Sequence, residues 1–389
     1  MNARTHLARS HDQANVVATV QKVVAEVVAP LALATDRDAT FPAEQVAALA
    51  GAGVGGLLMP ESLGGQETST ATYAESLAAI SAACGSTSTV YMTQMHCAHP
   101  IHVQGRKDQQ EAWIPGLCSA AAIGAIALTE PEAGSDVASM RTTARRDGDS
   151  YVVNGEKTFI SNGDVADVVV LFASVDTARG KSGITAFVVD TAAAEGLRAG
   201  TPMKKLGQKG ASTVTLGFED CRIPASARLG DEGEGFPLLV RSVVKSRISA
   251  AAQGVGFAQG ALDATVKHCA EHDLLSTRDR SAQDLRFELA RIRAEVAAAR
   301  AMLAEVCDLV DASVEEPMAE VSMAKLHCTS LGVKVSSACV ELLGEHGDLR
   351  QLGVERRLRD AKITEIYDGT NQVQSMIVAR DIYLSAGSS

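Results

Sequence analysis

Arg359-Asp360-Ala361-Lys362-Ile363-Thr364-Glu365-Ile366-Tyr367-Asp368-Gly369-Thr370-Asn371-Gln372-Val373-Gln374 is the stretch from which the rest of the chain can be read. Ala361, Ile363 and Ile366 fall at roughly helical spacing, and Gly369 stops the run. Thr370 is placed to cap a second helix carrying Val373, Met376, Ile377 and Ala379. Between the two helices stands one carboxylate, Asp368, beside a glycine that permits close backbone approach. A lone acid on a helix-to-helix corner is a seat for a general base facing a cavity. Asp before Gly is also an ordinary turn pair, and these residues alone leave both readings open.

The chain around this corner has 389 residues, enough for two or three domains with large cores. Its 46% hydrophobic and 21% charged content is that of an ordinary globular protein. The net charge of −11 argues against nucleic acid or an anionic membrane surface as partner. Local basic residues still leave room for a phosphorylated ligand. The eight cysteines are scattered without a C-x-x-C pair, which fits reduced, buried thiols and a cytoplasmic location. Met1–Gln13 is polar, unlike a signal peptide, and no uninterrupted apolar run reaches ~18 residues, so no membrane span is expected.

Read in order, Val16, Val17, Val20, Val23, Val24, Val27 and Val28 mark one face of a helix expected to end near Pro30. Helices are also predicted over Pro42–Ala50, Thr70–Ala83 and Ser86–Gln104, with no strand-like alternation before Ala120. Gly51, Gly53 and Gly56 match the dinucleotide fingerprint, but an Ala-rich helical run precedes them where that motif needs a strand. His96, His99 and His102 suggest a metal site. Pro100 is expected to interrupt their helix, and no carboxylate falls at a matching spacing, so a polar helix end or cavity lining is preferred and no metal is assigned.

Short β-rich runs then appear at Ile123–Leu128, Tyr151–Val153, Val168–Val175, Ile184–Val189 and Thr213–Phe218. Asp147-Gly148-Asp149 and Asn154-Gly155 read as turns between them. The long Ala-rich helices Phe236–Cys269, Ala282–Asp311 and Pro317–Leu343, and the final pair from Leu358, read as a bundle. The expectation is an α+β chain. It has an N-terminal all-α domain (1–118), a middle β-barrel or sandwich domain (119–229) and a C-terminal four-helix bundle (230–389).

R-D-A-K-I-x-x-I-Y-D-G-T-x-x-V-Q resembles the C-terminal signature of the acyl-CoA dehydrogenases, flavoenzymes that desaturate acyl-CoA thioesters, and the helix–sheet–helix order is theirs over nearly the full length. Leu128-Thr129-Glu130-Pro131-Glu132-Ala133-Gly134-Ser135-Asp136-Val137 resembles the family's first flavin segment, and Lys157-Thr158-Phe159-Ile160-Ser161-Asn162-Gly163 its second. The resemblance implies FAD held by Ile126, Leu128, Thr129, Gly134, Ser135, Phe159, Ser161, Gln283, Glu341, Gly344, Thr370 and Gln372. It implies acyl-CoA contacts from Ser135, Arg247, Tyr367 and Gly369, a homotetramer, and an electron-transferring flavoprotein as acceptor.

The family's usual base is Glu; here Asp368 holds the position, one methylene shorter, and Ser246 stands where some members carry their Glu. By the resemblance, Asp368 takes the α-proton while the β-hydride goes to flavin N5. Family members with Asp here act on alicyclic carboxyl-CoA thioesters or on nitroalkanes, so a cyclic or α-branched acyl-CoA is expected, cyclohexanecarboxyl-CoA being the sharp case. Two departures lie at the far end of the cofactor. His272-Asp273-Leu274-Leu275-Ser276 replaces Arg-x-x-Phe-Gly, with Arg278 and Arg280 as substitutes, and Glu345 replaces a Gly. The alternatives are a nitroalkane-oxidase-like flavin oxidase, a dehydrogenase of a carrier-protein-bound acyl chain, and a scaffold that has lost its cofactor.

Overall fold

The computed structural model describes residues 11–276, 282–313 and 316–387; Arg278 and Arg280 lie outside them. The valine stripe forms α1 (His11–Val23) and α2 (Ala29–Asp38), joined by a π-helical turn, Val24–Val28. The stop expected at Pro30 does not occur. The Ala29 N–H reaches back five residues to the Val24 carbonyl, and this widened turn accommodates the proline ring at the start of α2. Against expectation, Ala14–Asp38 is long and apolar enough to cross a membrane by length and composition. In the fold its Val20, Val28 and Ala32 are sealed in the main core.

The first domain continues with α3 (Ala43–Gly51), α4 (Thr70–Ala83), α5 (Gly85–Gln104) and α6 (Lys107–Cys118). The glycine-rich run is the end of α3 and a following turn, with no strand leading into it. Ser69 caps α4 by accepting the Thr72 N–H. Pro100 sits inside α5 without breaking it, a correction to the sequence reading. It costs the bond to the His96 carbonyl, and burial of nearly all of α5 holds the helix together.

Among the described residues, eight strands form one mixed sheet: β1 (Gly124–Ala127), β2 (Thr143–Asp147), β3 (Ser150–Ser161), β4 (Val168–Ser174), β5 (Ile184–Asp190), β6 (Leu197–Ala199), β7 (Thr213–Pro224) and β8 (Arg228–Leu229). The order is β6-β7-β3-β2-β4-β5-β8, with β1 parallel to β4. Asn154-Gly155 is not a turn. It lies inside β3, where the register against β7 shifts between Val153 and Gly155. Gly155 has φ +145°, and a Cβ there would collide with Thr142. β2 escaped the sequence reading because its Thr-Ala-Arg-Arg-Asp lacks apolar alternation.

One face of the sheet encloses Ala144, Tyr151, Val153, Leu171, Phe187 and Leu216. From the other, Val168, Val170 and Phe172 of β4 join the helical core. Burial on both faces explains why β4 is a continuous apolar run.

α7 (Gly235–Glu271), α8 (Gln283–Ala312), α9 (Met318–Leu343), α10 (Val354–Lys362) and α11 (Asn371–Gly387) complete the chain. α7 packs against α4 and α5 as well as α8, α9 and α10, so the two helical domains share one core.

Candidate active site

The corner that opened the sequence reading is built as follows. α10 ends at Lys362, Ile363–Glu365 makes one 3-10 turn, and Asp368 (φ +54°) and Gly369 (φ +86°) reverse the chain into α11. Left-handed backbone is tolerated by Asp better than by most residues. Thr370 Oγ1 accepts the Val373 N–H at 3.3 Å, capping α11 as expected, and Gln374 Nε2 donates to the Gly369 carbonyl at 2.8 Å.

Three helices, α5, α7 and α9, bring polar or charged groups to bear on this carboxylate. Burial pushes Asp368 above the usual carboxylate range, against the pull of His96 (α5), Lys325 (α9), and Ser246 and Arg247 (α7). Its Oδ2 has no hydrogen-bond partner, nor does the buried hydroxyl of Tyr367. Lys325, fully buried, donates to Asn371 Oδ1 at 2.9 Å; burial pulls it down to about 8 while Asp368 opposes. Arg247 donates to Ser322 Oγ at 3.3 Å and leaves its Nε unpartnered. Tyr73 of α4 and His96 both reach Ser249 Oγ, at 2.8 and 3.0 Å. An acid with raised proton affinity, surrounded by cations and orphaned polar atoms, is a site poised for proton transfer.

The two flavin segments lie side by side. The Thr158 N–H donates to the Thr129 carbonyl at 2.8 Å. Lys157 Nζ donates to the Leu128 carbonyl at 2.9 Å and to Glu130 Oε1 at 2.8 Å. Glu130 also accepts the N–H groups of Arg141 and Thr142 at 2.7 and 2.9 Å. From the sequence neither Lys157 nor Glu130 was given a role, so this clamp was missed. The signal was present, because both charges sit within the two quoted segments.

Around the clamp, Ile126, Leu128, Thr129 and Ser161 are half-buried, while Gly134 and Ser135 are exposed. Phe159 has φ +57° and is 66% exposed, its apolar ring turned out of the fold. A Cβ added at Gly134 would meet nothing nearer than Thr129 Cγ2 at 4.0 Å. A bare aromatic ring beside an open, exposed loop fits an isoalloxazine ring, so these residues suit FAD.

The loop between β6 and β7 joins the sheet to the corner. Gln208 Nε2 donates to the Asp360 carbonyl at 3.0 Å, and the Gln208 N–H donates to the Asp360 carboxylate. Lys205, from the same loop, is attracted by Asp360 and by Asp164, three residues beyond Ser161.

Gln283, Glu341 and Gly344 do not share this location. Gly344 begins the turn carrying His346, whose ring packs 4.9 Å from that of His268 near the end of α7. His268 lies ~33 Å along α7 from Ser246, at 1.5 Å per residue. Gln283 starts α8, whose first turn is tied to the chain just past α7 by Arg286 Nη1 donating to the Ser276 carbonyl. Gln372 is exposed on α11. Among the described residues no group of three or more His, Cys, Asp or Glu side chains could hold a metal ion, the three histidines of α5 included.

Three family models match in succession: the N-terminal domain of acyl-CoA dehydrogenase over residues 10–121, the middle domain over 125–221 and the C-terminal domain over 233–383. The chain belongs to the acyl-CoA dehydrogenases. These are FAD-dependent oxidoreductases, which agrees with the fit of the Phe159 and Thr129 region.

A cyclohex-1-ene-1-carbonyl-CoA dehydrogenase from Geobacter metallireducens is 36% identical over 93% of this chain and 95% of its own length. Butyryl-CoA dehydrogenase from Megasphaera elsdenii superposes with a TM-score of 0.91 at 27% identity, over 96% of this acyl-CoA dehydrogenase and 99% of that chain. The prolyl acyl carrier protein oxidase AnaB does so with a TM-score of 0.89 at 28% identity, over 96% and 100%.

Proposed function

We propose that this acyl-CoA dehydrogenase removes hydrogen from a thioester whose α-carbon is branched or part of a ring, with Asp368 as the base that takes the α-proton. The observation that carries this is a buried aspartate, rather than a longer acid, at the corner, with the small Ser246 and Arg247, and no second acid, acting on it from α7. Asp reaches about one bond less than Glu, and a misplacement of ~1 Å costs ~10²-fold. A ring or branch at the α-carbon uses the space that a Glu side chain would fill. Cyclohexanecarboxyl-CoA is the sharp case, and likeness to the Geobacter enzyme supports it.

In this reading Arg247, Tyr367, Gly369 and Ser135 hold the thioester, and the Asp368 N–H donates to its carbonyl oxygen. That donation stabilises the charge that develops as the α-proton leaves. Thr129, Gly134, Phe159, Ser161 and Thr370 hold the cofactor ring, with Ile126 and Leu128 behind it and Gln372 at its margin. FAD, when bound, supplies the acceptor for the β-hydride. Gln283, Glu341 and Gly344, remote from Asp368 within one chain, serve a neighbouring copy in a homotetramer. Electrons then pass to an electron-transferring flavoprotein in the cytoplasm.

The test is Asp368→Asn: the variant should keep its flavin and lose bleaching by every acyl-CoA. Bleaching at an undiminished rate would remove Asp368 from the role of base. A second reading, a carrier-protein thioester as substrate, is supported by the full-length likeness to the prolyl acyl carrier protein oxidase. Activity on an acylated carrier protein, with none on the matching CoA ester, would select it.

A further inference from the structure

Gln208, in the loop between β6 and β7, is buried and holds φ +48°, a left-handed backbone that glutamine rarely adopts. Such strain persists where the surroundings over-determine it, and here all four polar atoms of the residue are engaged. Its N–H donates to the Asp360 carboxylate, and its carbonyl accepts the Ala211 N–H at 3.1 Å. Its Nε2 donates to the Asp360 carbonyl at 3.0 Å, and its Oε1 accepts the Thr89 hydroxyl at 2.6 Å. A carbonyl only accepts, so the amide cannot be turned over, and Thr89 commits its single hydrogen to Oε1. Thr89 Oγ1 in turn accepts Gln253 Nε2 at 3.1 Å. A directed chain therefore runs from Gln253 of α7 through Thr89 of α5 and Gln208 of the sheet loop to Asp360 of α10, with all four residues buried.

Gln208 is joined by short links to both halves of the site. On the sheet side, the Ser212 carbonyl accepts the Asn162 N–H at 3.0 Å, and the β3–β7 ladder pairs Thr213 with Ser161 of the second flavin segment. On the helix side, one 3-10 turn leads from α10 to Asp368. The Thr364 hydroxyl donates to the Ala361 carbonyl at 2.7 Å and the Tyr367 N–H to the Ile363 carbonyl at 3.1 Å, which stiffens that turn. The fit is close. A Cβ at Gly207 would collide with the Arg359 carbonyl, and one at Gly85 with the Asp360 carboxylate.

We propose that Gln208 is a positioning residue: it locks the corner that carries Asp368 onto the strand that carries Ser161, and so sets how far the base stands from a thioester lying on the flavin ring. The proposal rests on reading Asp368 as the base and the Phe159–Ser161 region as the flavin seat. A glutamine suits the task because its side chain presents a donor and an acceptor together while its own N–H grips the same aspartate.

The experiment compares Gln208→Asn and Thr89→Val with wild type. The first keeps a backbone that Asn accepts and withdraws the amide by one methylene; the second keeps the branch and removes the hydroxyl. Anaerobic bleaching by cyclohexanecarboxyl-CoA and by butyryl-CoA is followed against thioester concentration, per bound flavin. In both variants the limiting rate should fall about tenfold or more, toward the ~10²-fold cost of a ~1 Å misplacement, while the half-saturating concentration moves by less than about twofold. The isotope effect from α-deuteration should rise, because proton transfer across a longer gap becomes the slower event. Thr89→Ser, which restores the hydroxyl, should recover most of the loss. A merely structural role would lower thermal stability and flavin occupancy and leave the rate and isotope effect of the remaining loaded enzyme unchanged; that result would overturn the proposal.

A second measurement needs no turnover. Backbone hydrogen exchange over residues 363–371 of the flavin-loaded protein should quicken about tenfold in Gln208→Asn and Thr89→Val; unchanged exchange would also overturn the proposal. Bleaching of wild type by no thioester would sink the dehydrogenase reading, and the exchange comparison would still decide whether Gln208 holds the corner.

Discussion

Lys157 Nζ donates to Glu130 Oε1 at 2.8 Å, with the lysine fully buried and the glutamate 4% exposed. This pair ties the loop after β1 to β3, so it fixes the two segments suited to the flavin ring relative to one another. Burial pushes Glu130 up, but Lys157, Thr142 and the Arg141 N–H more than reverse it and hold the carboxyl below its ordinary value. Burial pulls Lys157 down to about 8.

Breaking that clamp strands a buried cation. Glu130→Gln is expected to cost ~3–5 kcal/mol and to lower flavin retention, read by thermal unfolding and by the visible spectrum. A loss under ~1 kcal/mol would show that the clamp is incidental. In wild type the Glu130 contribution is complete above the unfolded carboxyl's ordinary value and fades as pH falls through the lower folded one. The penalty on charged Lys157 is present below about 8 and fades as pH rises from there toward the free lysine value.

Asp368 carries the opposite sign. Its folded proton affinity is raised, so the folded chain is favoured while the carboxyl is protonated, and that advantage is lost as pH rises through the folded value. Asp368→Asn should therefore match or exceed wild-type stability at pH 7, by about 1 kcal/mol, because it removes a buried charge at a left-handed position that Asn accepts. The gap should narrow near pH 4 in urea titrations. A clear loss of stability at pH 7 would mean that the ionised carboxylate supports the fold.

Asp368→Glu tests the space argument. It should raise flavin-bleaching rates with straight-chain acyl-CoAs and lower them with cyclic ones, each by up to ~10²-fold. Faster straight-chain turnover with cyclic turnover unchanged would show that the shorter acid does not make room for a ring.

Phe159→Ala removes an exposed ring, so its effect on unfolding should stay within ~0.5 kcal/mol. Flavin affinity, measured by fluorescence titration, should fall about tenfold if the lost ring contact is worth ~1.4 kcal/mol, in the range of an aromatic pair. Unchanged affinity would place the cofactor ring elsewhere.

The long helices and the two-faced burial of β4 were legible because apolar periodicity reports them directly. Pro30 and Pro100 misled because a π-turn and dense burial absorb a missing N–H that local rules treat as a stop. The Asn154-Gly155 pair misled because a bulge and a turn share their residue preferences. Asp368 and Arg247 were singled out through motif likeness. The meeting of His96, Ser249 and Tyr73 was hidden, since it depends on how α4, α5 and α7 cross, which no local pattern encodes.

The most direct measurement is anaerobic titration of the flavin spectrum with straight, α-branched and cyclic acyl-CoAs at equal concentration. We expect rapid bleaching by cyclic or α-branched thioesters and slow or no bleaching by straight-chain ones. Bleaching by straight-chain esters alone, or by no CoA ester with the flavin in place, would contradict the assignment of Asp368 to a ring-bearing or branched substrate.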